Sequence, residues 1–193
     1  MPGHLARYLD RWQQLHPGWE FTLWTPDNLP RLRNQDMFDR PEVFSPASNP
    51  WQWRSDLSRY EILHDLGGVY VDCDLEPLRP IDDLTDSEFI AYEDDRFVNN
   101  AFMGVAPGSA WISNILNGLR ESVLAQPFAR VNRQIGAYYL TRLVRRHPEV
   151  TILPAELVYP YHWSELDQHD RPVADGTYTR HHWQNKRNIE ATL

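Results

Sequence analysis

The chain has 193 residues, of which 41% are hydrophobic and 12% aromatic, and its formal net charge is −8. This apolar content is too high for a disordered protein, and the length is typical of one globular domain, which we expect to cover residues 1–193. The negative charge argues against a nucleic-acid partner, because binding to a phosphate backbone requires a basic surface.

The sequence gives no sign of membrane insertion or export. No apolar run approaches the roughly 18 residues of a membrane span, and no signal-peptide pattern opens the chain. Cys73 is the single cysteine, so an internal disulfide cannot form. Because small secreted proteins are often disulfide-bonded, we expect a soluble protein with the cytoplasm as its default compartment.

The hydrophobic pattern predicts alternating helices and strands, as in an α/β protein. The predicted helices cover residues 5–15, 27–34, 51–66, 109–124 and 132–146. The predicted strands cover residues 19–24, 68–71, 89–92, 101–105 and 151–153. Residues 40–50 contain three prolines and no periodicity, which predicts a loop.

The helix over 51–66 has clear start and stop signals. Asn49 is a favoured N-cap residue, and Pro50 follows it at the first helical position. Gly67 comes directly after the last periodic residue, where a glycine commonly ends a helix.

The polar residues of this helix fall on two different faces. One solvated arc is predicted to hold Arg54, Ser58, Glu61 and Asp65. Asp56 and Arg59, with Ser55 at its edge, fall on the apolar arc, where an unpaired charge is costly. Two interpretations stay open: a structural ion pair between Asp56 and Arg59, or a pair that faces a polar ligand.

Two aspartates follow the predicted strand 68–71. In extended backbone Asp72 and Asp74 point to the same side, where they repel each other unless a cation lies between them. Oxygen ligands suit Mg²⁺ or Mn²⁺, and such an ion usually keeps positions open for phosphate oxygens. The spacing does not fit an EF-hand, because Pro77 stands where that loop requires glycine.

The helix and the acidic strand together resemble the signature of glycosyltransferase family 32. The signature reads S-D-x-x-R-x-x-x-L, a spacer, and then G-G-x-Y-x-D-x-D, and it matches residues 55–63 and 67–74. The family includes sugar transferases with the DXD motif and is similar to the glucosylating domain of large clostridial toxins. So many fixed positions in about twenty residues make a chance match unlikely.

The resemblance implies roles for the residues that match the signature. Ser55, Asp56 and Arg59 correspond to positions that bind the sugar and ribose of a nucleotide-sugar donor, and Tyr70 to one that lines its nucleotide. Asp74 and Asp72 complete the implied set. Asp74 corresponds to the direct metal ligand, and Asp72 contacts the ribose and sugar or reaches the metal through water.

Two later segments extend the resemblance. Asn99 to Gly104 is similar to the family's strand beside the donor sugar, which implies a donor contact for Asn100. Residues 181–183 resemble the H-H-W segment that returns to the metal and diphosphate. Adjacent side chains diverge in extended backbone, so we predict His182 alone as a metal ligand, with Trp183 stacking on the donor. The alternatives are a surface histidine pair and a tryptophan that only packs.

The implied fold is the GT-A type, a mainly parallel sheet flanked by helices, with ligands at the carboxyl ends of the strands. Family members usually begin with an apolar strand, I-P-K-I-I-H-Q-x-W. This chain starts after it, so we expect the first strand to be missing and the domain to be truncated at its N-terminus.

The implied activity is transfer of a sugar from a nucleotide-diphosphate donor to a glycan, lipid or protein acceptor, with retention of configuration. Mn²⁺ or Mg²⁺ on Asp74 would stabilise the leaving diphosphate while Arg59 orients the donor. No dedicated nucleophile is evident, and the nearby acidic candidates are Asp56, Asp72 and the acidic residues Glu93, Asp94 and Asp95. Two alternatives stay open: a nucleotide-sugar hydrolase and a non-catalytic module that binds sugar nucleotides.

Overall fold

The computed structural model describes residues 3–184. Its helices are α1 (Gly3–Leu15), α2 (Gln35–Asp39), α3 (Pro41–Phe44), α4 (Pro50–Leu66), α5 (Ala110–Ala125), α6 (Val131–Gln134), α7 (Ala137–Val144) and α8 (Ala155–Val158). Its strands are β1 (Gly68–Val71), β2 (Leu75–Pro77), β3 (Phe89–Tyr92), β4 (Val98–Val105), β5 (Thr151–Leu153) and β6 (Thr179–His181). None of the helices in this part of the chain combines the length and the apolar character needed to cross a membrane.

The main sheet contains four strands in the order β1-β4-β3-β5. Strand β4 runs antiparallel to β1 and β3, whereas β3 and β5 are parallel. The sheet of the described residues is therefore mixed, and not the mainly parallel sheet that we expected. The reason is the short connection between β3 and β4, residues 93–97, because a parallel crossover needs a dozen or more residues.

Polar residues meet at one edge of this sheet. Strands β1, β3 and β5 run in the same direction, so their carboxyl ends lie together. Asp72 follows β1 and Glu93 follows β3, and the antiparallel β4 brings Asn99 and Asn100 to the same edge. A second sheet is formed by β2 and β6, which pair antiparallel. Ligands of open α/β sheets bind outside the carboxyl ends of the strands, so this edge is where a site is expected.

Both faces of the main sheet are covered by apolar side chains. Ile90 packs into a cluster formed with residues of α4, α5 and α7. Its neighbours Phe89 and Ala91 pack into a second cluster with residues of α1 and α8. The alternation of side chains along β3 therefore divides the core into two layers.

The predicted helix over 51–66 is confirmed as α4, and its end signals act as expected. The Asn49 side chain accepts hydrogen bonds from the backbone N–H groups of Trp51, at 2.9 Å, and Gln52. Gly67 has φ +67°, and a Cβ there would lie 2.5 Å from Pro107 Cδ. The conformation and the close contact both require glycine.

The predicted strand over 19–24 is wrong, because the structure shows no strand in this segment. A strand needs a partner, and alternation of side chains alone does not supply one. The segment lines a cavity of about 500 Å³ together with the whole of β1.

Strand β1 is the terminal strand of the sheet in residues 3–184. The expectation of a missing first strand stays a prediction.

Two predicted helices also differ from the structure. Residues 27–34 are not helical, and the short helix α2 begins directly after them. The helix over 132–146 is divided into α6 and α7 at Gly136. A Cβ at Gly136 would lie 2.9 Å from the Asn132 Cα, so the chain bends tightly at this glycine.

Candidate active site

The two aspartates of the acidic motif lie in a turn between β1 and β2. The Asp72 N–H donates to the Ala101 carbonyl at 2.9 Å, and the Asp72 carbonyl accepts from the Leu75 N–H at 2.9 Å. We expected extended backbone to bring the two carboxylates to one side. The turn achieves the same result, because it directs Asp72 and Asp74 toward one histidine.

That histidine is His181, the last residue of β6. The pairing of β2 with β6 places it opposite Leu75. Its Nε2 lies 3.1 Å from Asp74 Oδ1 and 3.9 Å from Asp72 Oδ2. Asp74 Oδ2 also accepts a hydrogen bond from the Gln184 N–H at 2.8 Å. One ligand atom from each of Asp72, Asp74 and His181 can therefore lie within 4.8 Å of the others.

The histidine and the carboxylate stabilise each other's charge. Burial alone would raise the pKa of Asp74, but the charge and hydrogen bond of His181 lower it to about 2. Burial alone would lower the pKa of His181, but Asp74 and Asp72 raise it. A proton on His181 thus balances part of the negative charge at this site.

The neighbouring His182 lies elsewhere, which corrects our prediction for the histidine pair. Its Nε2 is 3.0 Å from Glu76 Oε2, and its ring stacks on Tyr8 with the centroids 4.9 Å apart. The two histidines diverge as expected, but the one that reaches the acidic pair is His181. The choice follows from the pairing of β6 with β2, which directs His181 toward Asp74.

Behind the acidic turn, Arg59 is the centre of a buried network. Its Nη2 lies 2.9 Å from Asp56 Oδ1, 3.3 Å from Asp72 Oδ1 and 2.9 Å from Ser55 Oγ. Its Nη1 donates to the Asn100 carbonyl at 2.6 Å. The side chains of Arg59 and Asp56 are only 3% and 7% exposed. Arg59 therefore links the interior of the protein to Asp72.

Tyr70 adds a second contact that fixes Asp72. Its hydroxyl donates to Asp72 Oδ1 at 2.9 Å, and its ring lies under the Arg59 guanidinium, 4.5 Å from Cζ to the ring centroid. Burial raises the pKa of Asp56 to about 6, although Arg59 opposes the shift. The pKa of Arg59 is raised, because Asp72, Tyr70 and Asp56 outweigh its burial. Asp56 and Arg59 are thus both charged at neutral pH.

Asn100 and Trp183 form part of the wall of the site. Asn100 is 8% exposed, and its side-chain amide donates to the Tyr60 hydroxyl at 2.8 Å. Trp183 is 6% exposed and stands edge-on to the His181 ring, with the centroids 4.0 Å apart. Both are therefore packed in this structure, and the donor contacts that the resemblance implies for them stay predictions.

The residues at this edge fit a divalent cation. Two carboxylates and one imidazole are suitable ligands for a divalent metal ion. The His181 Nδ1 is buried and has no hydrogen-bond partner within residues 3–184. Asp72, Asp74 and His181 could hold the ion, with the imidazole deprotonated.

Two features of this region were not predicted from the sequence. One is the position of His181 beside the acidic pair, because the three-residue strand β6 that orients it was not predicted. The other is the pairing of Glu93 with Asn99 and His162 at the same edge of the sheet. Glu93 itself was among the acidic candidates, but its partners were not predicted, because His162 lies about seventy residues further along the chain.

Comparison with known proteins agrees with this geometry. Residues 2–90 match the family model described as the glycosyltransferase sugar-binding region containing the DXD motif. Inositol phosphoceramide mannosyltransferase 1 of Schizosaccharomyces pombe is 30% identical in an alignment 111 residues long, and the match covers 50% of this chain and 34% of that protein. Inositol phosphoceramide mannosyltransferase 3 of the same yeast is 25% identical in an alignment 189 residues long, and the match covers 88% of this chain and 52% of that protein.

The chain thus spans between a third and about half of the length of these two relatives. No solved structure matches it. The resemblance to the transferases with the DXD motif is confirmed by the matched region and by the two relatives.

Proposed function

We propose that the chain is a metal-dependent, retaining glycosyltransferase domain of the GT-A type, which takes its sugar from a nucleoside-diphosphate donor. The observation that carries this proposal is the convergence of Asp72, Asp74 and His181 at the carboxyl end of β1. Carboxylate and imidazole ligands at such an edge suit a divalent ion that binds a diphosphate.

Each residue of the site has a distinct task in this proposal. Asp74 and His181 bind the ion directly, and Asp72 is the third ligand or a contact to the donor. A divalent ion bound there would neutralise the charge that develops on the departing diphosphate. Arg59 and Tyr70 act by holding Asp72 in place, because the Arg59 guanidinium is buried and already has four partners.

The names of the relatives suggest the first substrates to test. Both are mannosyltransferases named for inositol phosphoceramide, so we propose mannose as the donor sugar and an inositol-phosphate lipid as one acceptor class. A lipid acceptor is one of the three acceptor classes that the sequence left open.

The test compares Asp74→Asn with a matched control, Asp86→Asn, which changes an exposed aspartate away from the site. Calorimetry measures the affinity for Mn²⁺ with and without a nucleoside diphosphate. We expect Asp74→Asn to lose metal affinity and Asp86→Asn to keep it. Equal metal affinity in the wild type and in Asp74→Asn contradicts the proposed site.

The same preparation separates transfer from its two alternatives. A nucleoside-diphosphate mannose is incubated with Mn²⁺, with and without an inositol-phosphate lipid. A transferase forms a glycosylated product only when the acceptor is present. A hydrolase releases free mannose at the same rate in both mixtures, and a non-catalytic module binds the donor without turnover.

A further inference from the structure

A second polar cluster lies at the same edge of the sheet, after β3. The Glu93 carboxylate accepts a hydrogen bond from the Asn99 side-chain amide at 2.5 Å, and it lies 3.5 Å from His162 Nε2. The side chain of Glu93 is 14% exposed and that of His162 is 27% exposed. The cluster is thus ordered by its own contacts and still reachable from solvent.

The loop that carries Glu93 is held by its own hydrogen bonds. The Glu93 N–H donates to the Phe97 carbonyl at 2.8 Å. Asp94 Oδ1 accepts from the N–H groups of Arg96, at 2.7 Å, and Phe97, at 2.9 Å. The Asp94 carboxylate is therefore engaged in the turn, whereas that of Glu93 is directed toward Asn99 and His162.

The proton position on His162 can be assigned from its neighbours. Its Nδ1 accepts a hydrogen bond from the Ser164 N–H at 3.3 Å, so in the neutral ring the proton lies on Nε2, facing Glu93. The adjacent Trp163 is 39% exposed, and its ring centroid is 4.8 Å from that of His162. An aromatic surface thus borders the polar cluster.

The cluster lies one strand away from Asp72, Asp74 and His181, which could hold a metal ion and are called the metal-side residues below. Strand β4 separates β1 from β3, and neighbouring strands are about 4.8 Å apart, so Glu93 lies about 10 Å from the end of β1. Tyr159 borders the metal-side residues, because its ring stands edge-on to that of His181 with the centroids 5.7 Å apart. It is 3% exposed, and its hydroxyl has no hydrogen-bond partner within residues 3–184. Burial, Asp72 and Glu93 all raise the pKa of this hydroxyl.

The charge of the cluster limits what it can bind. The Glu93 carboxylate repels a diphosphate, so it is unsuited to the anionic part of the donor. An ionised carboxylate accepts hydrogen bonds, and hydroxyl groups donate them. Carbohydrates also place their apolar faces on exposed aromatic rings such as that of Trp163. The chemistry fits a neutral molecule with several hydroxyl groups.

We propose that Glu93, supported by Asn99 and His162, binds the hydroxyl groups of the acceptor, a sugar or an inositol ring, beside the metal-side residues. The proposal rests on the proposed transferase function and adds the acceptor subsite to it. Glu93 is the direct ligand of the acceptor. Asn99 and His162 orient its carboxylate, and Trp163 packs against the ring of the acceptor.

The experiment uses the full chain with Mn²⁺ and a nucleoside diphosphate, and two acceptor probes, methyl α-D-mannoside and myo-inositol. Ligand-observed NMR measures the affinity for each probe, and calorimetry measures the affinity for the metal and nucleotide. The variants are Glu93→Gln and His162→Gln. The matched control is Asp95→Asn, an exposed residue of the same loop.

We expect Glu93→Gln to weaken the binding of at least one probe by about tenfold or more, the effect of losing a hydrogen bond to a charged group. His162→Gln should weaken it less, and Asp95→Asn should not change it. The affinity for the metal and nucleotide should stay the same in all variants. The preferred probe then identifies the acceptor as a sugar or an inositol ring.

Three results overturn the acceptor subsite. They are probe affinities that do not change in Glu93→Gln and His162→Gln, a loss of nucleotide affinity in Glu93→Gln, and a wild type that binds neither probe. Failure of the proposed function is seen separately, as absent binding of metal and nucleotide to the wild type. Melting temperatures confirm that each variant is folded. If Glu93→Gln does not fold, His162→Gln still tests the acceptor subsite.

Discussion

The buried pair of α4 gives the sharpest prediction for stability. Arg59→Met removes the guanidinium and keeps most of the side-chain volume. The Asp56 carboxylate, 7% exposed in its side chain, would then lose the cation that is 2.9 Å away. Breaking a buried ion pair by removing one partner costs about 3–5 kcal/mol, because it leaves an uncompensated buried charge. For a chain of this size that corresponds to a fall in melting temperature of roughly 6–20 °C.

The matched control is Arg33→Met. Arg33 pairs with Asp65 at 3.0 Å, but their side chains are 55% and 54% exposed. Exposed pairs contribute about 0–1 kcal/mol, so this variant should melt close to the wild type. An arginine-to-methionine substitution is thus expected to lower the free energy of unfolding at the buried position and not at the exposed one. The difference between the two variants measures the effect of burial on the ion pair.

Urea denaturation of the three proteins at neutral pH measures the free energies of unfolding. Because Arg59 also holds Asp72, at 3.3 Å, we expect Arg59→Met to weaken the affinity for Mn²⁺ and nucleoside diphosphate as well. A loss of stability below about 1 kcal/mol would refute the electrostatic reasoning. A large loss of stability with normal ligand affinity would show that the pair is structural only.

Three further predictions concern the acidic turn and its supports. His181→Gln should abolish high-affinity Mn²⁺ binding in calorimetry and His182→Gln should not, because the His181 imidazole lies beside the Asp74 carboxylate, whereas the His182 imidazole lies beside Glu76 and its backbone N–H donates to the Asp74 carbonyl. The depressed pKa of Asp74, about 2 instead of 3.8, stabilises the metal-free fold by about 2 kcal/mol above pH 4. This contribution is lost as the pH falls toward 2, so the melting curves of Asp74→Asn and the wild type should converge there. Gly67→Ala should lower the melting temperature, because its Cβ would overlap Pro107 and φ is +67°.

Local signals in the sequence were sufficient for the elements that support the site. Asn49, Pro50 and Gly67 define the ends of α4 through caps and turn geometry that involve only near neighbours. The signature of Asp72 and Asp74 after a short apolar strand located the acidic pair, although extended backbone was expected there and not the turn that holds it. These features were predictable because their physical causes lie within a few residues of each other.

Features that depend on distant parts of the chain were not predictable in this way. Glu61 was expected on a solvated face, but it is 3% exposed, and its carboxylate accepts hydrogen bonds from the backbone N–H groups of Arg33 and Asn34. The helical wheel cannot show that the segment before α2 folds over this face. In the same way, the choice of His181 over His182 depends on β6 pairing with β2, about a hundred residues earlier in the chain.

The balance of charge explains why the site suits a divalent ion in particular. Three carboxylates, those of Asp56, Asp72 and Asp74, lie around one permanent cation, the guanidinium of Arg59. With His181 neutral, two negative charges are left uncompensated, and a proton on His181 removes only one of them. A metal ion binds only the neutral imidazole, so it takes the place of the proton on His181. The two positive charges of a divalent ion then balance the two remaining negative charges. The buried pair of α4 and the acidic turn are therefore one electrostatic unit, and a change to Arg59 should be felt at the metal-side residues.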